Sequence, residues 1–269
     1  NELTILTWGD GNIDVDPRFV DEENGDYHLL ASSQLINAGY PDSTDSDGTV
    51  ADIGAYPYLN SYSGPTWYIT EDGNDSTATG ASDDPFRSIQ AGINFSSHAD
   101  SVAVAAGTYV ENINLSASSN FAVIGEDRET TIIDGNNLGP VVYITDVAQN
   151  LVLKNFTLTN GSEEEGGGIK IQNHSHCTIE NVNIISNSSY GVGIWHWADV
   201  HMKNVLIADN SGPGINTYFG VELDLNNITI TGNTSGLRIA NNDQKLKIVN
   251  SIIYGNQNGS FVDDGSEND

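Results

Sequence analysis

Carboxylates and imidazoles recur at one spacing in the second half of the chain. His176, Asp199, Glu222 and Lys245 follow each other at intervals of 23, and so do Thr178, His201, Asp224 and Lys247. If each 23-residue interval is one turn of backbone, each set stacks as an outward column with neighbours about 4.8 Å apart. Asp199, Glu222, Asp224 and His201 then fall within about 10 Å, two coil spacings. Paired carboxylates at that range suit glycoside hydrolysis, one as acid and one as base or nucleophile. A His/Asp/Glu cluster can also hold a divalent metal. The same alignment sets Glu222 beside Lys245, Asp224 beside Lys247 and Glu180 beside Lys203. That is ordinary opposite-charge pairing on a sheet surface, and it takes precedence over catalysis. A lyase would further need a base and a cation for the substrate carboxylate, yet the whole chain has nine Lys+Arg and no basic cleft in its pattern.

Aromatics offer a second chemistry. Trp195-His-Trp197 breaks the expected in/out alternation, with Tyr218 and Phe219 at matching positions one repeat later. Trp195, Trp197 and Tyr218 can stack on sugar rings as a glycan platform, or else cover a corner or a subunit contact. For metal, Asp10, Asn12, Asp14, Asp16 and Asp21 stand at calcium-loop-like offsets, although Val15 occupies the place of the usual Gly and Asp21 that of the usual Glu. Ca2+ is the ion such a set would take. Asp42, Asp45, Asp47 and Asp52 form a second acidic loop, and Glu163-Glu-Glu-Gly a charged insertion read as solvated. Cys177, the single cysteine, falls on an inward position and reads as a buried apolar thiol.

The element that must position all of these is a repeat. Asn155, Asn181, Asn204, Asn227 and Asn250 each open a short Asn-apolar phrase that closes on Asn160, Asn187, Asn210, Asn233 or Asn256. The leading residues are separated by 26, 23, 23 and 23. Leu153, Ile179, Met202, Leu225 and Ile248 precede them by two, and Leu158, Ile184, Ile207, Ile230 and Ile253 follow by three. This period-2 alternation on a fixed repeat predicts a parallel β-helix, each column pointing into one tube. The repeated Asn suit left-handed turns and amide stacking along the axis. The alternative reading is glycosylation, since ten Asn-x-Ser/Thr sequons occur, although an Asn- and Thr-rich repeat generates them by composition alone. Gly168-Ile169, Gly193-Ile194, Gly214-Ile215 and Gly236-Leu237 are expected at corners.

Charge narrows the partners. With 9 Lys+Arg against 37 Asp+Glu the net charge is −28, which repels phosphate backbones and anionic lipid. Nucleic-acid binding is not expected, nor is membrane insertion, since no apolar run nears the roughly 18 residues needed. The Asn1-Glu2 opening has no signal-like core and suggests a mature or excised segment.

Residues 66–115 read as an N-terminal cap with the first coils: Trp67-Tyr-Ile-Thr as a strand, then a helix capped by Asp84 with Pro85 first and Phe86, Ile89 and Ile93 as its apolar stripe. Asp83-Asp-Pro-Phe-Arg-Ser-Ile-Gln-Ala-Gly-Ile with Asp100-Ser-Val-Ala-Val-Ala-Ala-Gly-Thr-Tyr-Val resembles the N-terminal cap of secreted right-handed parallel β-helix (pectate-lyase-like) proteins. Asn12-Ile-Asp-Val-Asp-Pro-Arg-Phe-Val-Asp, Gly25-Asp-Tyr-His-Leu, Leu35-Ile-Asn-Ala-Gly and Asp52-Ile-Gly-Ala-Tyr resemble the closing segment of choice-of-anchor β-helix surface proteins. In those proteins the closing segment comes last; here it comes first. That inversion implies a window on a tandem array, a permuted domain, or a subunit that completes its neighbour. The resemblances imply polysaccharide lyases, glycosidases or surface proteins without catalysis.

The expected architecture is therefore all-β: a right-handed parallel β-helix (solenoid) with a short capping α-helix. Residues 1–65 form the closing segment, 66–115 the cap and first coils, and 116–269 coils of about 23 residues. The expected function is an extracellular or cell-surface structural or adhesion module, one unit of a larger protein or head-to-tail fibre. Its expected partners are neighbouring copies or repeats at the tube ends, and polysaccharide. The alternative is a polysaccharide lyase or glycoside hydrolase.

Overall fold

The computed structural model describes residues 12–116, 120–146, 150–240 and 243–263. Three parallel sheets wind around one core as a right-handed β-solenoid of about seven turns. The first sheet has eight strands, from Thr66–Ile69 to Lys245–Val249. The second has seven, from Gly107–Val110 to Ile252–Ile253, and the third has seven, from Ile113–Ser116 to Phe261–Asp263. Each strand pairs only with its equivalents one turn before and after, in unbroken register.

That register is dictated by which side chains avoid water. Leu153, Ile179, Met202, Leu225 and Ile248 stack in one column of the first sheet, and Leu158, Ile184, Ile207, Ile230 and Ile253 in one column of the second. A slip of one residue would turn every inward side chain out, so the burial fixes the pairing. Corners demand left-handed backbone, and Asn supplies it: Asn155, Asn181, Asn204, Asn227 and Asn250 all have φ between 51° and 64°. Their amides also link turns, with Asn181 Nδ2 donating to Asn155 Oδ1 at 2.8 Å and Asn227 Nδ2 to Asn204 Oδ1 at 2.6 Å. A second, buried ladder runs through Asn187, Asn210, Asn233 and Asn256, each Oδ1 accepting the backbone N–H and the Nδ2 of the preceding Asn where both are in the column.

One corner assignment is corrected. Ile169, Val192, Ile215 and Leu237 are the register partners. The corner glycines are thus Gly168, Gly191, Gly214 and Gly236, and Gly193 lies two residues later on the outer face. At Gly191 a β-carbon would come within 2.6 Å of the Gly214 carbonyl oxygen, so the turns could not approach.

The capping helix, α1, spans Ile89–Phe95 and not the stretch from Pro85. Asp84 and Phe86 serve a different purpose: the chain from 78 to 86 runs along the free edge of the first strand. Tyr68 N–H donates to Gly80 O, Phe86 N–H to Tyr68 O and Thr70 N–H to Phe86 O, at 2.9 to 3.0 Å. Side chains imitate a strand on the other two edges. Glu71 Oε1 accepts from Thr108 N–H at 2.9 Å, while Gln90 accepts from Asn114 N–H at 2.8 Å and donates to Asn114 O at 3.3 Å. The N-terminal rim is thereby sealed, which removes the usual hazard of open strand edges.

Glu111 replaces the missing N-cap of α1. Ser88 makes no side-chain cap bond, and the Glu111 carboxylate accepts from Ile89 and Gln90 N–H at 2.8 and 3.2 Å.

Residues 12–65 contribute one small antiparallel pair, Phe19–Asp21 with Asp26–Leu29. They pack on the cap, not on the coil around Asn250–Asn256. Asn94 Nδ2 donates to Ala31 O and Ser33 O at 3.0 and 2.7 Å, Tyr58 OH to Ala78 O at 2.6 Å, and Asn60 Nδ2 to Thr79 O at 3.0 Å. The rim at the opposite end differs. Leu246, Ile252, Tyr254 and Phe261 are exposed there, Tyr254 by 78 %. Among the described residues no helix is long and apolar enough to cross a membrane.

Candidate functional site

The outer face of the first sheet carries the columns expected to do chemistry. Asp199 pairs in register with His176 and Glu222, and His201 with Thr178 and Asp224. Alternation within the five-residue strands forces this: Val200 and Met202 point inward and are buried, so Asp199, His201 and Lys203 point out. The carboxylates are not convergent. Lys245 Nζ lies 2.9 Å from Glu222 Oε2, and Lys247 Nζ lies 2.8 Å from Asp224 Oδ2. Glu180 is held between Lys203 and Lys154 at 3.3 and 3.4 Å, and Lys203 foremost keeps its pKa below the usual carboxylate range.

Asp199 is the exception, because its neighbours are imidazoles. His176 Nδ1 lies 3.3 Å from one oxygen and His201 Nε2 3.5 Å from the other. Among the described residues no group of three His, Cys, Asp or Glu is arranged to hold a metal ion. Beneath this face Cys177 is buried, and burial first, then Asp199, pushes its thiol pKa up to about 12. A thiol so protonated is inert.

Four cavities of about 300 to 1020 Å³ lie elsewhere, and none of these four is lined by Asp199, His201, Glu222 or Asp224. The one of 1020 Å³ sits between residues 12–65 and α1, lined in part by Tyr62, Trp67, Gln90, Asn94 and Asn114. Its Gln90 and Asn94 amides already hold neighbouring segments together.

The aromatic candidates separate into two environments at the corner after the third sheet. Trp195 is only 6 % exposed: its ring lies over Gly193, where a β-carbon would come within 2.1 Å of it, and stacks on Tyr218 at 5.5 Å. Trp197 is 55 % exposed. It and His196 both adopt left-handed backbone, which swings Trp197 out of the strand alternation. Its indole lies between the His174 ring, 5.4 Å away and nearly parallel, and Gly220, where a β-carbon would meet the indole at 2.2 Å. Phe219, half-exposed, stacks on His196 at 6.3 Å. The two corner histidines, which complete the exposed ladder, were not singled out from the sequence. His174 stands 23 residues before Trp197 and His196 stands 23 before Phe219, and those offsets are the signal that would have found them.

Of the calcium-loop set, Asp10 lies outside the described residues. Asp16 Oδ1 accepts from Arg18 N–H at 3.0 Å, and Asp21 accepts from both the backbone N–H and the side chain of Asn24 at 3.3 and 2.7 Å. Among the described residues Asp14, Asp16 and Asp21 form no group of three placed to hold a metal ion. The second acidic loop is likewise a scaffold: Asp47 accepts from Asn60 N–H and Thr49, and Asp52 from Asn37 and Tyr58 N–H, all between 2.7 and 3.1 Å. The Glu163–Gly166 insertion is not simply solvated, since Glu163 and Glu165 both reach Lys170, at 3.0 and 3.3 Å.

A family model described as "Right handed beta helix region" matches residues 140–269, just under half of the chain. Together with the parallel coils it places the chain among the β-helix folds. A solved structure of a rhamnogalacturonan lyase is similar at 15 % identity with a TM-score of 0.47, over 73 % of this chain. The chain spans 62 % of that structure's length. No curated protein matches the sequence.

Proposed function

We propose that this chain is an extracellular β-helical module of structural or adhesive function that presents an aromatic corner to glycan. The observation that carries the reading is the contrast between two faces. Glu222 and Asp224, two of the acids a hydrolase would need, are neutralised by Lys245 and Lys247 on an open sheet face. Trp197 and Phe219 meanwhile stand exposed on a rigid corner. Indole and phenyl edges held on a stiff support favour sugar contact at low entropic cost. That none of those four cavities is lined by these carboxylates weighs against the lyase or hydrolase alternative.

The exposed rim of Leu246, Ile252, Tyr254 and Phe261 supports the structural half of the reading. Among the described residues the last strands of the three sheets pair on one side alone, which favours a further β-coil there, from an adjacent repeat or a neighbouring copy. No metal or cofactor is part of the proposal.

A panel of neutral and acidic polysaccharides tests it by binding and by product release. The expected result is binding without turnover, lost in Trp197→Ala and kept in Asp199→Asn and Glu222→Gln. Product release that disappears in Asp199→Asn or Glu222→Gln would overturn it in favour of an enzyme.

A further inference from the structure

The first sheet's outer face is electrically unlike the rest of the chain. Lys154, Lys203, Lys245 and Lys247 stand on it, four of only nine Lys+Arg, against Glu180, Asp199, Glu222 and Asp224. Four cations and four carboxylates leave it with no fixed charge in a chain of −28. It is also where histidine collects: His174, His176, His196 and His201 are four of the six. His176 and His201 are half-exposed on the face itself, and His174 and His196 lie in the stacked rings at its edge. The remaining charged neighbours among the described residues are Asp146, at the corner one turn before His174, Asp243, beside Lys245, Glu126, at the capped end of the face, and the mutually paired Arg128 and Glu129, which reach the corners at Asn204 and Asn183.

Imidazole is the side chain that ordinarily changes charge between about pH 5 and pH 8. At neutral pH this face is where a second acidic molecule meets least repulsion. On acidification four imidazolium charges outweigh the three carboxylates Asp146, Asp243 and Glu126 and make it attractive. The matching surface is residues 12–65, which carry ten Asp and Glu against Arg18 alone, a fixed charge of −9 at the capped end of the tube.

We infer that the histidine face of the first sheet docks the acidic 12–65 segment of a second copy of this chain, and that mild acidification turns the contact on. It is a lateral contact, distinct from stacking at the exposed rim, and independent of glycan binding at Trp197. His176 and His201 carry it because both flank Asp199, so their protonation neutralises the one carboxylate on the face without a lysine partner.

Sedimentation velocity of the purified chain, at about pH 7.5 and about pH 5.5, tests this, each in about 0.05 M and about 0.5 M NaCl. The expected result is reversible association at least about tenfold stronger at the lower pH in low salt, and dispersed by high salt. His176→Gln with His201→Gln should abolish the gain, while His98→Gln, outside both surfaces, should leave it intact. Association that ignores pH, survives high salt or persists in the His176/His201 variant would overturn the inference. So would a chain that stays monomeric at both pH values.

Discussion

Asn233 Oδ1 receives two hydrogen bonds from Asn210, one from its backbone N–H and one from its Nδ2, both at 3.0 Å. Asn210 treats Asn187 in the same way, at 3.0 and 2.9 Å. Each amide thus gives to the next coil and takes from the one before, all out of water.

Asn210→Ala should therefore remove more than one contact. It strands the backbone N–H of Asn187 and leaves Asn187 Nδ2 only the long contacts to Leu158 O and Ile185 O, at 3.4 and 3.3 Å. It also removes the Nδ2 bond to Ile184 O and leaves Asn233 Oδ1 with the backbone N–H alone. The expected loss is roughly 2–4 kcal/mol, read from urea unfolding, because buried unsatisfied groups cost about 1–3 kcal/mol each.

Asn216 predicts the opposite sign. It lies in the third sheet between Gly193 and Arg238 in the outward column, buried, with neither amide atom meeting a protein partner. Asn216→Leu keeps similar volume and removes those polar atoms. A stability gain of about 1 kcal/mol is expected in the same urea titration.

Gly220 supports the exposed indole. It has φ of 66° and lies under Trp197. Gly220→Ala should destabilise by about 1 kcal/mol through the left-handed backbone. It should also push the indole off its seat, shifting tryptophan emission and weakening any glycan contact at that corner.

Glu111 makes stability depend on pH. Burial foremost pushes its pKa from 4.5 up to about 7, against the pull of the two α1 N–H donors. Between those values the unfolded chain has lost the proton that the folded chain keeps, so stability falls as pH rises from 4.5 to about 7. Glu111→Gln retains an acceptor for Ile89 N–H and has no proton to lose. Its Tm should fall less steeply than the wild type across that range; parallel curves would refute the assignment.

The coils were legible because their cause is local and repeated. A 23-residue interval with period-2 burial fixes register, and the column His176, Asp199, Glu222 and Lys245 follows from it directly. The Asn ladders followed for the same reason. Where repetition fails, so did inference. The start of α1 was misplaced because Asp84 and Pro85 fit a helix cap as well as they fit the edge-covering strap they form. Its true cap, Glu111, is 22 residues away from Ile89. Trp195 and Trp197 looked alike in sequence. Only the left-handed pair His196–Trp197 separates a buried ring from an exposed one. The seat of residues 12–65 on the cap rests on contacts such as Asn94 with Ala31, 63 positions apart, that no spacing announces.

The two rims give the rod a direction in which it comes apart. At one end Glu71, Gln90 and the 78–86 strap hold the outermost backbone, and losing that end means unseating an entire cap. At the other, the outermost turn is held from a single side among the described residues. Thermal opening should start there and travel coil by coil toward Thr66, as a zip does from its loose end. Amide exchange would then be graded along the axis, fastest near Ile252 and slowest in the turns next to α1.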